Sequence, residues 1–427
     1  QIKSLKMPGV FLQDEYHRDY PEGPVMAHVV GLTDVDDKGQ EGLELAYNNW
    51  LEGQAGLKQV IKDRLGHVVA DIRAIRPPKP GHDLQISLDK RIQYVAYREL
   101  KAGVERYRAD SGSVVVLDVK TGEILAMVNW PSYNPNHRRS AQDGHARNRA
   151  VTDLFEPGST IKSFSMASVL SNSQFTPSSQ IDTSPGWMII AGKRITDERN
   201  NGVMDLTKIL QISSNMGMSK LILSQPAENL WNTLHRVGFG QVTESNFPGE
   251  RTGSLPHFKV WNPFVLATLS FGYGISVTTL QLAQAYAVLA QGGVKVPVTF
   301  LKVEGDAPLG QRVMGQRISR EILAMLESVL RKGGTAPLAR VPGYRVTGKT
   351  GTVRIVGAHG YEKHHYNSIF IGIAPASQPR LVVAVILHDP KGQFYYGGYT
   401  AGPIFSHVMS NTVHLLNIAP DDVANLN

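Results

Sequence analysis

The order of its extended and helical segments constrains this chain more than any other feature. Residues 112–118 (GSVVVLD) and 123–128 (EILAMV) are short apolar runs on either side of Lys120-Thr121-Gly122, a pattern that predicts a hairpin. Helical spacing then dominates from about 150 to 340, as in 277–291, where Leu280, Leu282, Ala283, Tyr286, Val288 and Leu289 recur. Strand-like runs return at 344–356, 369–374 and 381–388, and a helix-like segment follows over 403–416. Two strands, a helical insert, three strands and a helix predict an α+β fold. One antiparallel sheet, built from both ends of the domain, packs against a helical subdomain, with a natural site in the crevice between them.

Upstream of the hairpin the character differs. Residues 1–80 carry the turn-rich Pro8-Gly9 and Pro21-Glu22-Gly23-Pro24 and a short helix-like stretch around 42–51. The break at Pro77-Pro78-Lys79-Pro80-Gly81 reads as a linker, which predicts a division into 1–80 and 81–427. Ser87 reads as the N-cap of a helix carrying Ile92, Val95, Ala96 and Leu100. At about 150 residues per domain, 427 residues allow two or three domains. Charged residues at 19% and no low-complexity tract exclude a disordered chain. The net charge of +7 (44 Lys+Arg against 37 Asp+Glu) is dispersed in small pairs such as Arg138-Arg139, which predicts a solvated surface and no nucleic-acid partner. Apolar runs such as 381–387 fall far short of the roughly 18 residues of a membrane span. The absence of cysteine excludes disulfides, thiolate catalysis and Cys-ligated metals. The chain opens on Gln1 with no signal-peptide pattern, so the expectation is a segment of a longer protein with any membrane anchor upstream.

Three short patterns occur in order: Ser159-Thr160-Ile161-Lys162, Ser213-Ser214-Asn215 and Lys349-Thr350-Gly351-Thr352. Together they describe an active-site serine acyltransferase. Ser159 follows Glu156-Pro157-Gly158 and precedes an apolar helix-like run, so it is expected at a helix start, where free N–H groups favour developing negative charge. Lys162, three residues on, shares its helical face. To accept the serine proton this lysine must be neutral, a lowering of roughly three units or about 4 kcal/mol. Burial and a second cation nearby supply such a shift. Ser213 suits a proton relay toward a leaving amine, and Asn215 suits a hydrogen bond to a substrate carbonyl. Lys349 lies in a β-branched run with Gly348 and Gly351, which predicts an edge strand that a peptide can join by β-augmentation. Thr350, Thr352 and the Lys349 charge would receive a terminal carboxylate, and the N–H groups of Ser159 and Thr352 would form an oxyanion hole.

Each pattern alone is weak, because the chain also contains Ser87-Leu88-Asp89-Lys90, Ser132-Tyr133-Asn134 and Lys120-Thr121-Gly122. These read as a cap, a loop between prolines and a hairpin turn. His364-His365 lacks metal-like spacing and reads as a solvated loop.

The run from Asn148-Arg149-Ala150 through Ser159-Thr160-Ile161-Lys162, with Phe271-Gly272-Tyr273-Gly274, Lys349-Thr350-Gly351-Thr352 and Tyr395-Tyr396-Gly397-Gly398, resembles the class B penicillin-binding proteins. The resemblance is to the FtsI-type division transpeptidases of Gram-negative bacteria, also called penicillin-binding protein 3, and it extends into Tyr20-Pro21 through Gly42-Leu43-Glu44. It implies the penicillin-binding transpeptidase (serine β-lactamase-like) fold behind a partial N-terminal pedestal. It implies Ser159 as nucleophile, Lys162 as general base, Ser213 and Asn215 as the second motif, and Lys349, Thr350, Gly351 and Thr352 as the third. Tyr273, Tyr395 and Tyr396 are then cleft walls, and Arg354 the basic residue after the third motif. The implied reaction is attack on the penultimate D-Ala carbonyl of a peptidoglycan stem peptide and transfer of the acyl group to a neighbouring amine, with no cofactor or metal. The implied partners are stem peptides, β-lactams as covalent inhibitors, a septal glycosyltransferase with other divisome proteins, and the inner membrane through an N-terminal anchor, all at its periplasmic face. A serine β-lactamase or D-Ala-D-Ala carboxypeptidase shares the constellation, with Glu228 in an E-x-x-x-N pattern as its available carboxylate. A catalytically silent sensor or scaffold is the reading from a different class.

Overall fold

The computed structural model describes residues 18–422 apart from 142–143, 173 and 358–359, so Pro8-Gly9 lies outside the described residues. Two compact units are present, one formed by the residues up to Leu84 together with Tyr133–Ala146, the other by Gln85–Ser132 and the chain from Arg147 onward. In the first, Tyr20, Met26, Ala27, Val29 and Leu43 are buried. The phenols of this core are paired: Tyr20 OH accepts from Thr33 N–H at 2.9 Å, and Tyr133 OH donates to the Ala27 carbonyl at 2.9 Å. A hairpin of β1 (Leu57–Lys62) and β2 (Val68–Arg76) follows, exposed along almost its whole length. The Pro77–Gly81 stretch is tied back, because Gln54 and Lys79 exchange backbone hydrogen bonds at 2.8 and 2.9 Å.

The second unit opens with α1 (Lys90–Tyr107). Its cap is Asp89, which accepts from Arg91 N–H, and not Ser87 as the sequence predicted. Ser87 Oγ instead donates to the Ile124 carbonyl at 2.8 Å, so its hydroxyl serves the sheet. The predicted hairpin forms as β3 (Ser111–Asp118) and β4 (Ile124–Trp130). Asp118 closes its turn by accepting from the N–H groups of Lys120 and Thr121.

The middle of the chain is largely helical, with α2 (Lys162–Asn172), α3 (Leu206–Gln211), α4 (Asn215–Leu223), α5 (Ala227–Arg236), α6 (Thr279–Ala290) and α7 (Gln316–Glu327). It also contains a hairpin absent from the sequence reading, β5 (Trp187–Ile190) and β6 (Lys193–Thr196). Its turn residues Ala191 and Gly192 both have positive φ, as a two-residue hairpin turn requires. Ile190 and Ile195 anchor it by packing with Met216 and Phe271. Helix α2 is buried on nearly every side; Ser163 Oγ bonds Tyr286 OH at 2.8 Å and Ser165 Oγ donates to the Ser270 carbonyl at 2.7 Å, whereas the buried Ser168 Oγ has no hydrogen-bond partner among the described residues.

The chain then returns to the sheet with β7 (Thr347–Gly357), β8 (Gly360–Ala374), β9 (Leu381–His388) and finally α8 (Ala401–Leu415). The five strands are antiparallel in the order β7-β8-β9-β3-β4, so both ends of the unit build one sheet. Helices α1 and α8 pack together on one face, and α6 covers β3 and β9 on the other. That double cover explains why β3 and β9 read as continuous apolar runs without alternation. Strand β8 begins nine residues before the predicted start at Ile369 and takes in His364 and His365, which the sequence read as a loop. His365 is held by Asp389, Nδ1 to Oδ2 at 2.8 Å, a contact that no sequence spacing announces.

Candidate active site

Ser159 stands in a 3₁₀ turn, Gly158–Ile161, that runs directly into α2. The turn is fastened from below by Tyr286, buried and donating through its OH to the Thr160 carbonyl at 2.8 Å. It is fastened at its start by Gly158 N–H to the Gly272 carbonyl at 3.3 Å. Gly272 has φ +90°, and a Cβ there would lie 2.1 Å from the Gly158 oxygen. The glycine of Phe271-Gly272-Tyr273-Gly274 thus lets that loop press on the backbone before the serine. Ser159 faces a cavity of about 500 Å³, while Lys162, one turn on, is fully buried beneath it.

The second motif reverses the chain between α3 and α4. Ser213 takes the left-handed conformation (φ 61°) that glycine usually occupies after a helix end, and Ser214 caps α4 by accepting from Gly217 N–H at 2.9 Å. Lys162 Nζ donates to the Ser213 carbonyl at 2.6 Å, to Ser213 Oγ at 3.1 Å and to Asn215 Oδ1 at 2.7 Å. Lys349 Nζ donates to the same Ser213 Oγ at 2.9 Å. One hydroxyl therefore joins the amines of the first and third motifs. Burial pulls the Lys162 amine down to about 7, against the opposing charge of Asp197. Lys349 is held well below the usual lysine range by burial and by the Lys162 charge beside it.

Lys349 belongs to β7, the edge strand of the sheet. A Cβ on Gly351 would lie 2.9 Å from the Pro157 carbonyl and 3.1 Å from Thr160 Cγ2, so this glycine allows the strand to lie against the serine turn. Thr350 Oγ1 and Thr335 Oγ1 are 2.8 Å apart, and Thr352 Oγ1 accepts from Gly397 N–H at 3.0 Å. Thr350, Thr352, Thr335 and Gly397 all line the cavity with Ser159, Ser213 and Asn215.

Of the aromatic residues, Tyr396 lines this cavity, and its OH donates to Glu198 Oε1 at 3.3 Å. Tyr395 stacks behind it, with centroids 4.6 Å apart, and rests on Tyr366 at 4.3 Å. Tyr273 and Arg354 are not on the cavity wall. Tyr273 packs edge-on to Tyr361 at 5.5 Å and Phe271 at 5.8 Å. Arg354 is exposed and lines a neighbouring cavity of about 450 Å³ with Glu156 and Gly274. A third cavity, about 520 Å³ around Arg147, Arg149 and Arg251, contains no residue of the three motifs. The sequence reading missed Asp197, Glu198 and Thr335. The first two follow the unrecognised β5–β6 hairpin, whose Ala-Gly turn was the available signal, and Thr335 follows the pair Gly333-Gly334 in a loop.

The arrangement holds a partly exposed hydroxyl at a helix start, a buried amine that titrates near neutrality, a second buried amine and two threonine hydroxyls on an open strand edge. These are the parts of nucleophilic acyl transfer to and from a serine. A family model described as the penicillin binding protein transpeptidase domain matches residues 112–410, and one described as the penicillin-binding protein dimerisation domain matches residues 1–86. The chain is 42% identical over 420 residues to the peptidoglycan D,D-transpeptidase FtsI of Escherichia coli K12, covering 98% of this chain and 71% of that protein. It is 42% identical over 425 residues to the probable peptidoglycan D,D-transpeptidase PbpC of Pseudomonas aeruginosa, covering 99% and 75%. The apo transpeptidase domain of Burkholderia pseudomallei penicillin-binding protein 3 superposes with a TM-score of 0.73 at 39% identity, over 80% of this chain and 99% of that one. With the motif geometry and the match across both regions, the chain belongs to the penicillin-binding protein transpeptidases.

Proposed function

We propose that this protein is a serine D,D-transpeptidase that cross-links peptidoglycan stem peptides, as the names of its relatives describe for them. The observation that carries the reading is the Ser213 hydroxyl, bonded at 3.1 Å to the amine of Lys162 and at 2.9 Å to that of Lys349, on the wall of the cavity that Ser159 enters. Ser159 Oγ attacks the penultimate D-Ala carbonyl and passes its proton to neutral Lys162. The C–N bond to the terminal D-Ala breaks, and that amine leaves with a proton relayed through Ser213. Lys349, Thr350 and Thr352 hold the terminal carboxylate, Asn215 the substrate amide, and the N–H groups of Ser159 and Thr352 the oxyanion. An acceptor amine then attacks the ester. A new C–N bond forms, the C–O bond breaks, and the acceptor's proton returns to Ser159 Oγ.

Gly351 serves by leaving room for the strand. Tyr396 is the cleft wall nearest the acyl group and Tyr395 its support, whereas Tyr273 and Arg354 would be met by parts of the substrate beyond the cavity. β-Lactams, as strained amides with a carboxylate, would acylate Ser159 as mimics of the donor. We assign 81–427 the catalytic role and 1–80 that of a partial pedestal. By the same resemblance the protein acts in septal wall synthesis at the periplasmic face of the inner membrane, beside a glycosyltransferase and other divisome proteins. Among the described residues no helix is long and apolar enough to cross a membrane. Intact mass after incubation with penicillin tests the reading: one adduct per chain is expected, absent in Ser159→Ala. An adduct unchanged in that variant would refute the assignment of the nucleophile.

A further inference from the structure

The loop after β6 brings to the cavity a carboxylate that none of the three motifs contains. Asp197 accepts three hydrogen bonds from the first turn of α4: from Ser214 Oγ at 2.5 Å, from Asn215 N–H at 2.6 Å and from Met216 N–H at 3.0 Å. A helix start needs acceptors of this kind, but Ser214 already caps α4 through Gly217 N–H. Asp197 therefore holds the cap itself. The segment it holds supplies every acceptor of the Lys162 amine: the Ser213 carbonyl and hydroxyl just before Ser214, and the Oδ1 of Asn215.

We propose that Asp197 is a positioning residue of the acyl-transfer reaction, holding the second motif on the Lys162 amine and placing a negative charge near it. The inference rests on the transpeptidase reading. The ionisable groups that face Lys162 are Asp197 from this loop and Lys349 from β7; the Phe271 ring, 5.9 Å away, is uncharged. Burial drives Lys162 toward its neutral form, and the Asp197 carboxylate opposes it. A purely structural clamp would have no such electrostatic consequence.

Two variants separate the roles. Asp197→Asn keeps Oδ1 for the N–H groups of Asn215 and Met216 and can donate to Ser214 Oγ, but it removes the charge. Asp197→Ala removes both. Acylation by a fluorescent penicillin, followed across pH, should keep most of its plateau rate in Asp197→Asn, while its acid limb moves to lower pH. Below the limb the rate, relative to plateau, should rise by roughly threefold, the effect of half a pH unit. In Asp197→Ala the plateau rate should fall by about ten- to a hundredfold, as expected when a catalytic group loses its placement. An acid limb that stays at the wild-type pH in Asp197→Asn, with only the melting temperature lowered, overturns the proposal. If Asp197→Ala does not fold, the Asn profile decides alone. Wild-type protein that fails to acylate at Ser159 would instead overturn the underlying reading, and the two failures are distinct.

Discussion

Lys162 has three N–H donors when charged, and three acceptors surround it, two on Ser213 and one on Asn215. That shell is complete for the ammonium, and among the described residues the Ser159 hydroxyl has no side-chain partner of its own. The amine must therefore lose a proton before it can turn a lone pair toward Ser159. Because Lys162 sits at about 7, neutral base becomes available as pH rises through that value, so the acylation rate should climb with pH about a midpoint near 7. Lys162→Arg should remove the rise along with most of the rate, since a guanidinium stays charged throughout. Acylation within a few-fold of wild type, with unchanged melting, would exclude Lys162 as the base. Ser213 gives a second test at this scale. Its left-handed backbone costs a non-glycine residue about 1–2 kcal/mol, so Ser213→Gly should melt higher than Ser213→Ala while acylating as poorly. Equal melting of the two would mean that the position carries no strain. The serine and both lysines were legible from spacing and order alone. The division of labour between the lysines was not: burial acts on both, whereas the repulsion expected to help Lys162 falls on Lys349.

At the scale of elements, the site is a close approach of three pieces: the serine turn, the α3–α4 reversal and the edge strand β7. Gly351→Ala places a methyl 2.9 Å from the Pro157 carbonyl, a backbone atom that cannot swing aside. The strand must retreat from the turn, and acylation should fall by about tenfold or more, with a loss of stability of roughly 1–3 kcal/mol. Retained acylation rates in that variant would show that the approach is looser than the geometry indicates. The threonines require more care than their sequence suggests. Replacing Thr352 by Val also strips the acceptor from Gly397 N–H, so Thr350→Val and Thr350→Ser form the cleaner pair for carboxylate recognition. Ligands that bear the carboxylate should lose roughly 1.5–3 kcal/mol with Val and recover it with Ser, whereas a ligand without the group should hardly respond. Equal losses for both ligands would point to a disturbed strand. The strands of the sheet core and the main helices were legible because each has a long apolar pattern. The β5–β6 hairpin was not, since its half-exposed residues carry little alternation and its anchor is Met216 and Phe271, distant in sequence. Ser87 misled for a related reason: a hydroxyl near a helix start satisfies a local cap or a distant carbonyl equally well, and only the fold decides which.

At the scale of the whole transpeptidase unit, the question is what resolves the acyl group once it has formed on Ser159. A hydrolase needs a carboxylate poised to activate water, and the sequence offered Glu228. In the structure Glu228 lies exposed in the first turn of α5 and is absent from the cavity wall. The carboxylates that do line the cavity are Asp197, which accepts three hydrogen bonds from the start of α4, and Glu198, whose Oε1 accepts from Tyr396 OH. Asp197 could serve as a dedicated base only by giving up contacts that hold the second motif, and Glu198 is joined through Oε1 to Tyr396 on the cavity wall. The penicilloyl adduct should accordingly persist for many minutes to hours, against the sub-second turnover of a typical hydrolase. With a peptide thioester as donor, a D-amino acid or stem-peptide amine should yield aminolysis product in excess of hydrolysis, because an amine enters with the nucleophilicity that water would need a base to acquire. Time-resolved intact mass measures the first outcome and product chromatography the second. Rapid return of unmodified protein with catalytic loss of penicillin would reject the transpeptidase reading in favour of a hydrolase. Glu198→Gln would then be the variant to examine, since Glu198 is the carboxylate in that cavity with only one hydrogen bond to surrender.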